Sequence, residues 1–160
     1  MKSTFRSRIP WREKMNRPQE PQIIEITPAM QQRFGTGTML IPTPRLIDDL
    51  IKKTPKGKLL TIGEIRRRLA KDFKVNTVCP LTTGIFIRIA AEAANEELME
   101  GKKRVTPFWR LIRNDESLLE KNPGGIAGQA KMLKNESHEI ISTKGKKLRV
   151  SEFEKKLTTL

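Results

Sequence analysis

The chain has 160 residues, with 32 Lys and Arg against 18 Asp and Glu, a formal charge of +14 at neutral pH. That length fits one domain with roughly 100 to 120 residues in its core, and 36% hydrophobic content supports a compact interior but no large catalytic cleft with its own subdomain. No apolar run reaches the roughly 18 to 20 residues of a membrane span, no apolar signal core opens the chain, and one Cys (Cys79) with one His (His138) leaves no internal disulfide or Cys/His metal cluster.

These features point to a reducing, cytoplasmic setting without membrane, metal or cofactor. The charge points to a polyanion, with nucleic acid ahead of a ribosome or an anionic membrane surface. Residues 1–22 carry six positive and two negative side chains with Pro10, Pro18 and Pro21, and read as a flexible basic arm. Residues 144–160 have the same charge count but better patterning, so the two ends hold more than half of the net charge. They read either as solvated tails or as phosphate contacts.

A leading segment, 23–53, ends in a helix that opens at Thr43-Pro44, with Leu46, Ile47, Leu50 and Ile51 on one apolar stripe up to Lys52-Lys53. The run from Thr54 to Lys58 breaks it. A second helix starts at Thr61, where Thr61-Ile62-Gly63-Glu64 matches a capping box, in which hydroxyl and carboxylate satisfy orphan amides reciprocally. Ile62, Ile65 and Leu69 form its buried stripe and Arg66, Arg67 and Arg68 point largely outward. A third helix runs from about Leu81 to Glu100, with Ile85, Phe86, Ile89, Ala90 and Ala93 at helical spacing. The pair is compatible with an open helix-turn-helix.

Val105 to Ile112 is short, apolar and extended in character. Asn122-Pro123-Gly124-Gly125 is a turn opening another helix, with Ile126, Ala130 and Leu133 on one face. Glu139-Ile140-Ile141 and Lys147-Leu148-Arg149-Val150 flank Thr143-Lys144-Gly145-Lys146 and read as a β-hairpin with a basic tip, before a short helix from Ser151. The predicted fold class is α+β, mainly α: a winged helix-turn-helix over 54–138, with the hairpin and final helix in 139–160.

Three ordered blocks carry a family resemblance. Residues Pro55 to Ile65 (PKGKLLTIGEI) resemble the "P-x-G-x-V-x-T-Y-G-E-I" block of the O6-alkylguanine-DNA alkyltransferases. Thr106 to Ile112 (TPFWRLI) stands where that family has "I-P-C-H-R-V-I", and Gly124-Gly125-Ile126 through Leu133 and Glu136 resembles its "G-G-x-x-x-K-x-x-L-L-x-x-E" helix. The resemblance is closer to the non-enzymatic alkyltransferase-like proteins. In the enzymes the Cys accepts the alkyl group, activated by the adjacent His through a water and a buried carboxylate. Here those positions hold Phe108 and Trp109, so alkyl transfer is not expected. The family's phosphate-rotating Tyr aligns with Ile62, and its intercalating Arg falls near Thr83-Gly84, with Arg88 one turn on as a substitute.

What the resemblance implies is a protein that binds double-stranded DNA, holds an O6-alkylguanine-type base by nucleotide flipping, and hands repair to nucleotide excision repair proteins, in a nucleoid-associated cytoplasmic setting. The expected DNA contacts are Thr61, Ile62, Arg66, Thr82, Thr83, Arg88, Lys103 and Arg104, and the expected lesion pocket is Pro107, Phe108, Trp109, Arg110, Gly124 and Gly125. Lys102 and the hairpin's Lys144, Lys146 and Lys147 are further phosphate candidates. Phe108 and Trp109 also read as core aromatics, Arg66–Arg68 as a solvated face, Cys79 as an apolar filler and His138 as a structural residue in a surface-like turn. The rival function is a regulatory or nucleoid DNA-binding protein without a lesion pocket.

Overall fold

The computed structural model describes residues 9–142 and 147–160. Helix α1 (Trp11–Asn16) is followed by strand β1 (Gln22–Glu25), helix α2 (Pro28–Phe34), strand β2 (Thr38–Ile41) and helix α3 (Pro44–Lys52). Next come β3 (Leu60–Thr61), α4 (Ile62–Phe73), β4 (Thr77–Val78) and the 20-residue α5 (Pro80–Met99). A 3-10 turn at Phe108–Arg110 leads to β5 (Leu111–Ile112), α6 (Gly125–Asn135), β6 (Ile140–Ser142) and β7 (Leu148–Val150). The fold is α+β with small sheets, and the expected helix-turn-helix is α4 and α5.

Local chemistry accounts for the helix boundaries. Thr43 caps α3 by accepting a hydrogen bond from the Leu46 amide at 3.3 Å, and Thr61 caps α4 by accepting from the Glu64 amide at 3.1 Å. The capping box is only half formed. Glu64 turns away to take the Arg67 guanidinium and the Leu160 amide, because its own helix and the returning C-terminal segment supply nearer donors. Helix α4 ends at Lys74 in the left-handed region, φ 53°.

Strand pairing then places the two helices. β3 pairs in parallel with β5, Leu60 opposite Leu111 and Thr61 opposite Ile112. Everything from α4 to the 3-10 turn is therefore the crossover between two paired strands, and Ile62 emerges beside Arg113. β4 joins β2 in parallel, with β1 antiparallel on the other edge of β2. The main core gathers Leu40, Ile47, Ile51, Leu60, Ile65 and Ile87. A second core under α6 holds Leu59, Ile112, Leu118, Leu133 and Val150, which seats the antiparallel hairpin β6–β7.

Four expectations change. The segment read as a flexible arm contains α1, held to α5 by the Trp11 amide on Glu96 Oε1 at 2.7 Å, by Arg12 on Glu96 and Glu100, and by buried Met15. Sequence charge hid this because the pairing acids lie more than 80 residues away. The extended stretch before β5 contains the 3-10 turn. The final helix is a 3-10 turn, Phe153–Lys156, and the backbone flanking it pairs with Leu59. His138 is 4% exposed, not surface-like. The hairpin tip, with Lys144 and Lys146, lies outside the described residues.

Replacing Glu96 by Ala removes the acceptor for both Trp11 and Arg12. Limited trypsin digestion of the full chain should then cut severalfold faster after Arg12 and Lys14, while the thermal midpoint of the core moves by only a few degrees.

Candidate nucleic-acid interface

Helix α5 presents two very different faces. One is small and buried, with Thr83, Ile87, Ala90, Ala91, Ala93 and Ala94 against the core. The other carries Leu81, 66% exposed, and Ile85, 49% exposed, followed one turn later by exposed Arg88. Two large apolar side chains are thus left in water on a helix that opens with Pro80.

Beside this ridge is a cavity of about 500 Å³. Its apolar walls include Ile62, Ile87, Ile89, Leu119 and Trp11, and its charged lining residues are Lys14, Arg88, Arg113 and Lys121, with no carboxylate among them. The Lys14 ammonium lies 4.3 Å from the Trp11 ring centroid and the Arg88 guanidinium 5.5 Å from it, so an aromatic ring and two cations share one wall.

The loop between β5 and α6 supplies the opposite wall and is held from beneath. Gln129, fully buried, donates to the Trp109 and Leu111 carbonyls at 3.0 and 2.7 Å and accepts from the Leu119 amide at 2.7 Å. At the other end Asn114 accepts from the Gly63 amide at 2.6 Å, and a Cβ at Gly63 would push that oxygen away. Asn122 also lines the cavity. It is 7% exposed and its Nδ2 has no hydrogen-bond partner among the described residues.

The expected DNA contacts divide. Ile62 and Arg88 line this cavity. Thr61 is committed to its cap, and Thr82 lies 3.5 Å from the Cys79 carbonyl. Thr83 cannot reach phosphate: it is fully buried, its hydroxyl donating to the Cys79 carbonyl at 2.6 Å. Arg66 does not point outward but clamps β4, donating to the Val78 carbonyl at 3.1 and 2.8 Å. Arg67 and Arg68 are paired with Glu64 and Asp72 on their own helix. Trp11, Arg113, Lys121 and Asn122 were not anticipated. The Asn122-Pro123-Gly124-Gly125 turn signalled the last of these weakly, and a Trp in the basic arm was the only signal for the first.

The expected lesion pocket is not assembled. Pro107, Trp109 and Arg110 line a second cavity of about 530 Å³ together with Lys103 and Arg104. Its α5 residues, Ala90, Ala93, Ala94 and Glu97, lie roughly opposite Leu81, Ile85 and Arg88 at 100° per residue. Phe108 lines neither cavity. It is 2% exposed, packed on Ala91 and Ala94 with its ring edge-to-face on Trp109. Gly124 and Gly125 line neither cavity either; their φ values of 79° and 67° form the left-handed turn that starts α6.

Trp109 and Arg110 are instead organised by Glu136. The indole N–H donates to Oε1 at 3.0 Å, and Arg110 donates from Nη2 at 2.7 Å and from Nε at 3.0 Å. Burial pushes the Glu136 carboxyl up, but the hydrogen bonds from Arg110 and Trp109 outweigh it and hold the group below the usual range. His138 behaves oppositely. Burial, helped by Lys156, lowers its pKa against the pull of Glu136, and neither ring nitrogen has a partner among the described residues. Cys79 is buried in an apolar cluster with Ile26 and Met39, the setting of a filler.

No protein-family model matches the chain, and no curated protein matches it. Two solved structures do. One is S. pombe Atl1 in complex with damaged DNA containing O6-carboxymethylguanine, 18% identical, with a TM-score of 0.50, covering 73% of this chain and 94% of that one. The other is S. pombe ATL in complex with DNA, 17% identical at a TM-score of 0.48, with the same coverage. The match to the first is one of fold: the chain has the alkyltransferase-like architecture.

Phe108→Ala should destabilise the protein by about 3 to 5 kcal/mol in denaturant unfolding, the range for an aromatic removed from a core. For His138 the folded pKa lies below the unfolded one, so the unfolded state takes up its proton first as pH falls. Stability conferred by the neutral ring is then lost as pH drops below about 6.5. His138→Leu should flatten the unfolding free energy between about pH 7 and pH 5.

Proposed function

We propose that the chain is a non-catalytic DNA-binding protein that seats duplex DNA on the α4–α5 face and accepts an extruded, O6-alkylated guanine in the cavity beside Leu81 and Ile85. The observation that carries this reading is the cavity itself: apolar walls, an aromatic ring, four cations and no carboxylate. Cations around its mouth suit a sugar-phosphate backbone, and the apolar interior suits a base removed from the stack. The exposed Leu81 and Ile85 supply what the sequence lacks in an intercalating Arg. An apolar wedge between base steps supports a kink and offsets part of the few kcal/mol that unstacking costs.

Alkyl transfer is not part of the proposal. At the family's nucleophile and base positions stand a buried Phe108 and a Trp109 whose N–H is occupied by Glu136. With its one N–H held by Glu136, the indole has no lone pair with which to act as a base. Repair of a bound lesion then falls to other proteins, and nucleotide excision repair components are the proposed partners.

Binding should be steeply salt-dependent. In fluorescence anisotropy against a plain duplex, Arg113→Ala and Lys121→Ala should each lower the slope of log K against log salt by about 0.9. Lys103→Ala, in the cavity across α5, should leave that slope unchanged. The reverse pattern would move the interface to the second cavity. With the wild type, a central O6-methylguanine should raise affinity over the same duplex carrying guanine, whereas equal binding leaves a generic DNA-binding module.

A further inference from the structure

The second cavity takes no part in the proposed DNA contacts. Helix α1 is a wall of both cavities: Trp11 and Lys14 line the first, and Arg12, Met15 and Asn16 the second. The apolar lining of the second includes Ala90, Ala93 and Ala94 of α5 and the Trp109 indole, and its volume of about 530 Å³ suits a small molecule. Cations reach it from four separate segments: Arg12 from α1, Arg45 and Lys52 from α3, Lys103 and Arg104 from the loop after α5, and Arg110 from the 3-10 turn.

Their charges are not all answered. Arg12 is paired with Glu96 and Glu100, Lys52 with Asp48 at 3.0 Å, and Arg110 with Glu136 at 2.7 Å. The two carboxylates in the lining are themselves engaged. Asp48 also accepts from the Thr106 hydroxyl at 2.7 Å, and Glu97 faces Lys102 at 3.6 Å. Arg45, Lys103 and Arg104 are exposed and meet no carboxylate among the described residues; Arg45 donates to the Asn16 amide oxygen at 2.5 Å. Like charges gathered at one concave site repel, and a ligand with several negative charges relieves that repulsion.

A phosphate chain carries such charge in a compact form, and its oxygens accept from guanidinium and ammonium groups alike. A convex duplex would touch the rim cations but leave the alanine-lined interior empty, whereas a small molecule fills both. We propose that the second cavity binds the phosphate chain of a small polyanion, with a nucleoside triphosphate as the fullest fit. Arg45, Lys103 and Arg104 hold the chain, and the alanine lining beside Trp109 receives the base. This site stands whether or not the first cavity seats an extruded base.

The chain's two tryptophans divide between the cavities, which supplies a local readout. In the full chain carrying Trp11→Phe, emission comes from Trp109 alone. ATP should change it saturably with a dissociation constant below about 1 mM, and ADP and AMP should bind progressively more weakly. Arg45→Ala and the double variant Lys103→Ala with Arg104→Ala should each weaken ATP about tenfold or more, the worth of a hydrogen bond to a charged group. Their thermal midpoints should match the parent, because all three side chains are exposed. Inorganic triphosphate distinguishes the sources. Binding as tight as that of ATP makes the free chain the ligand, weaker binding means that the base is held as well, and both support the site.

No saturable change below about 1 mM overturns the proposal, as does a response to AMP equal to that to ATP. ATP binding that survives both variants removes the three cations from the role. Displacement of ATP by a plain duplex would place the nucleotide in the DNA interface and overturn a separate site.

Discussion

Glu136 is the carboxylate around which the C-terminal half of this basic protein is arranged. It accepts from Trp109 and Arg110, and lies 3.5 Å from the Gly57 amide, while Arg110 reaches on to the Thr54 carbonyl at 2.7 Å. Three segments far apart in sequence thus meet on one charge: the loop after α3, the 3-10 turn before β5, and the end of α6. Removing one partner of such a half-buried pair typically costs about 3 to 5 kcal/mol, because the other charge is left without compensation. The pairing of β3 with β5 and the burial of Phe108 both depend on the 3-10 turn that this cluster holds.

Two adjacent aromatic residues, Phe108 and Trp109, sit in the turn that this carboxylate holds. The Trp109 indole can donate one hydrogen bond and accept none, so it satisfies Glu136 but relays no proton. Phe108 is packed in the core, and Ala91 and Ala94 leave room for its ring. What α5 keeps open is its other face, where nothing in the described chain covers Leu81 or Ile85.

Charge follows the same division. The conspicuous Arg66-Arg67-Arg68 run is largely spent inside the molecule, on the Val78 carbonyl, Glu64 and Asp72. The cations that remain to form a field over the cavity come one or two at a time from α1, α5 and the loop before α6. Local opposite charges neutralise the run, while Lys14, Arg88, Arg113 and Lys121 meet at a cavity whose lining has no carboxylate.

The sequence by itself determined helices α3 to α6 and the hairpin, but not α1 or α2. Thr43, Thr61 and the Gly124-Gly125 pair mark ends by chemistry that acts within four residues, and apolar stripes repeat with the helical period. It also placed a Phe and a Trp, neither a nucleophile nor a base, at 108 and 109. Only the tertiary structure decided which residues share a cavity. The parallel pairing of two-residue strands sets Ile62 beside Arg113, the docking of α1 brings Trp11 to Arg88, and the rotation of α5 divides the anticipated site between opposite faces. These depend on contacts across 50 to 90 residues, whose closure is fixed by the summed packing of the core and leaves no periodic signal along the chain.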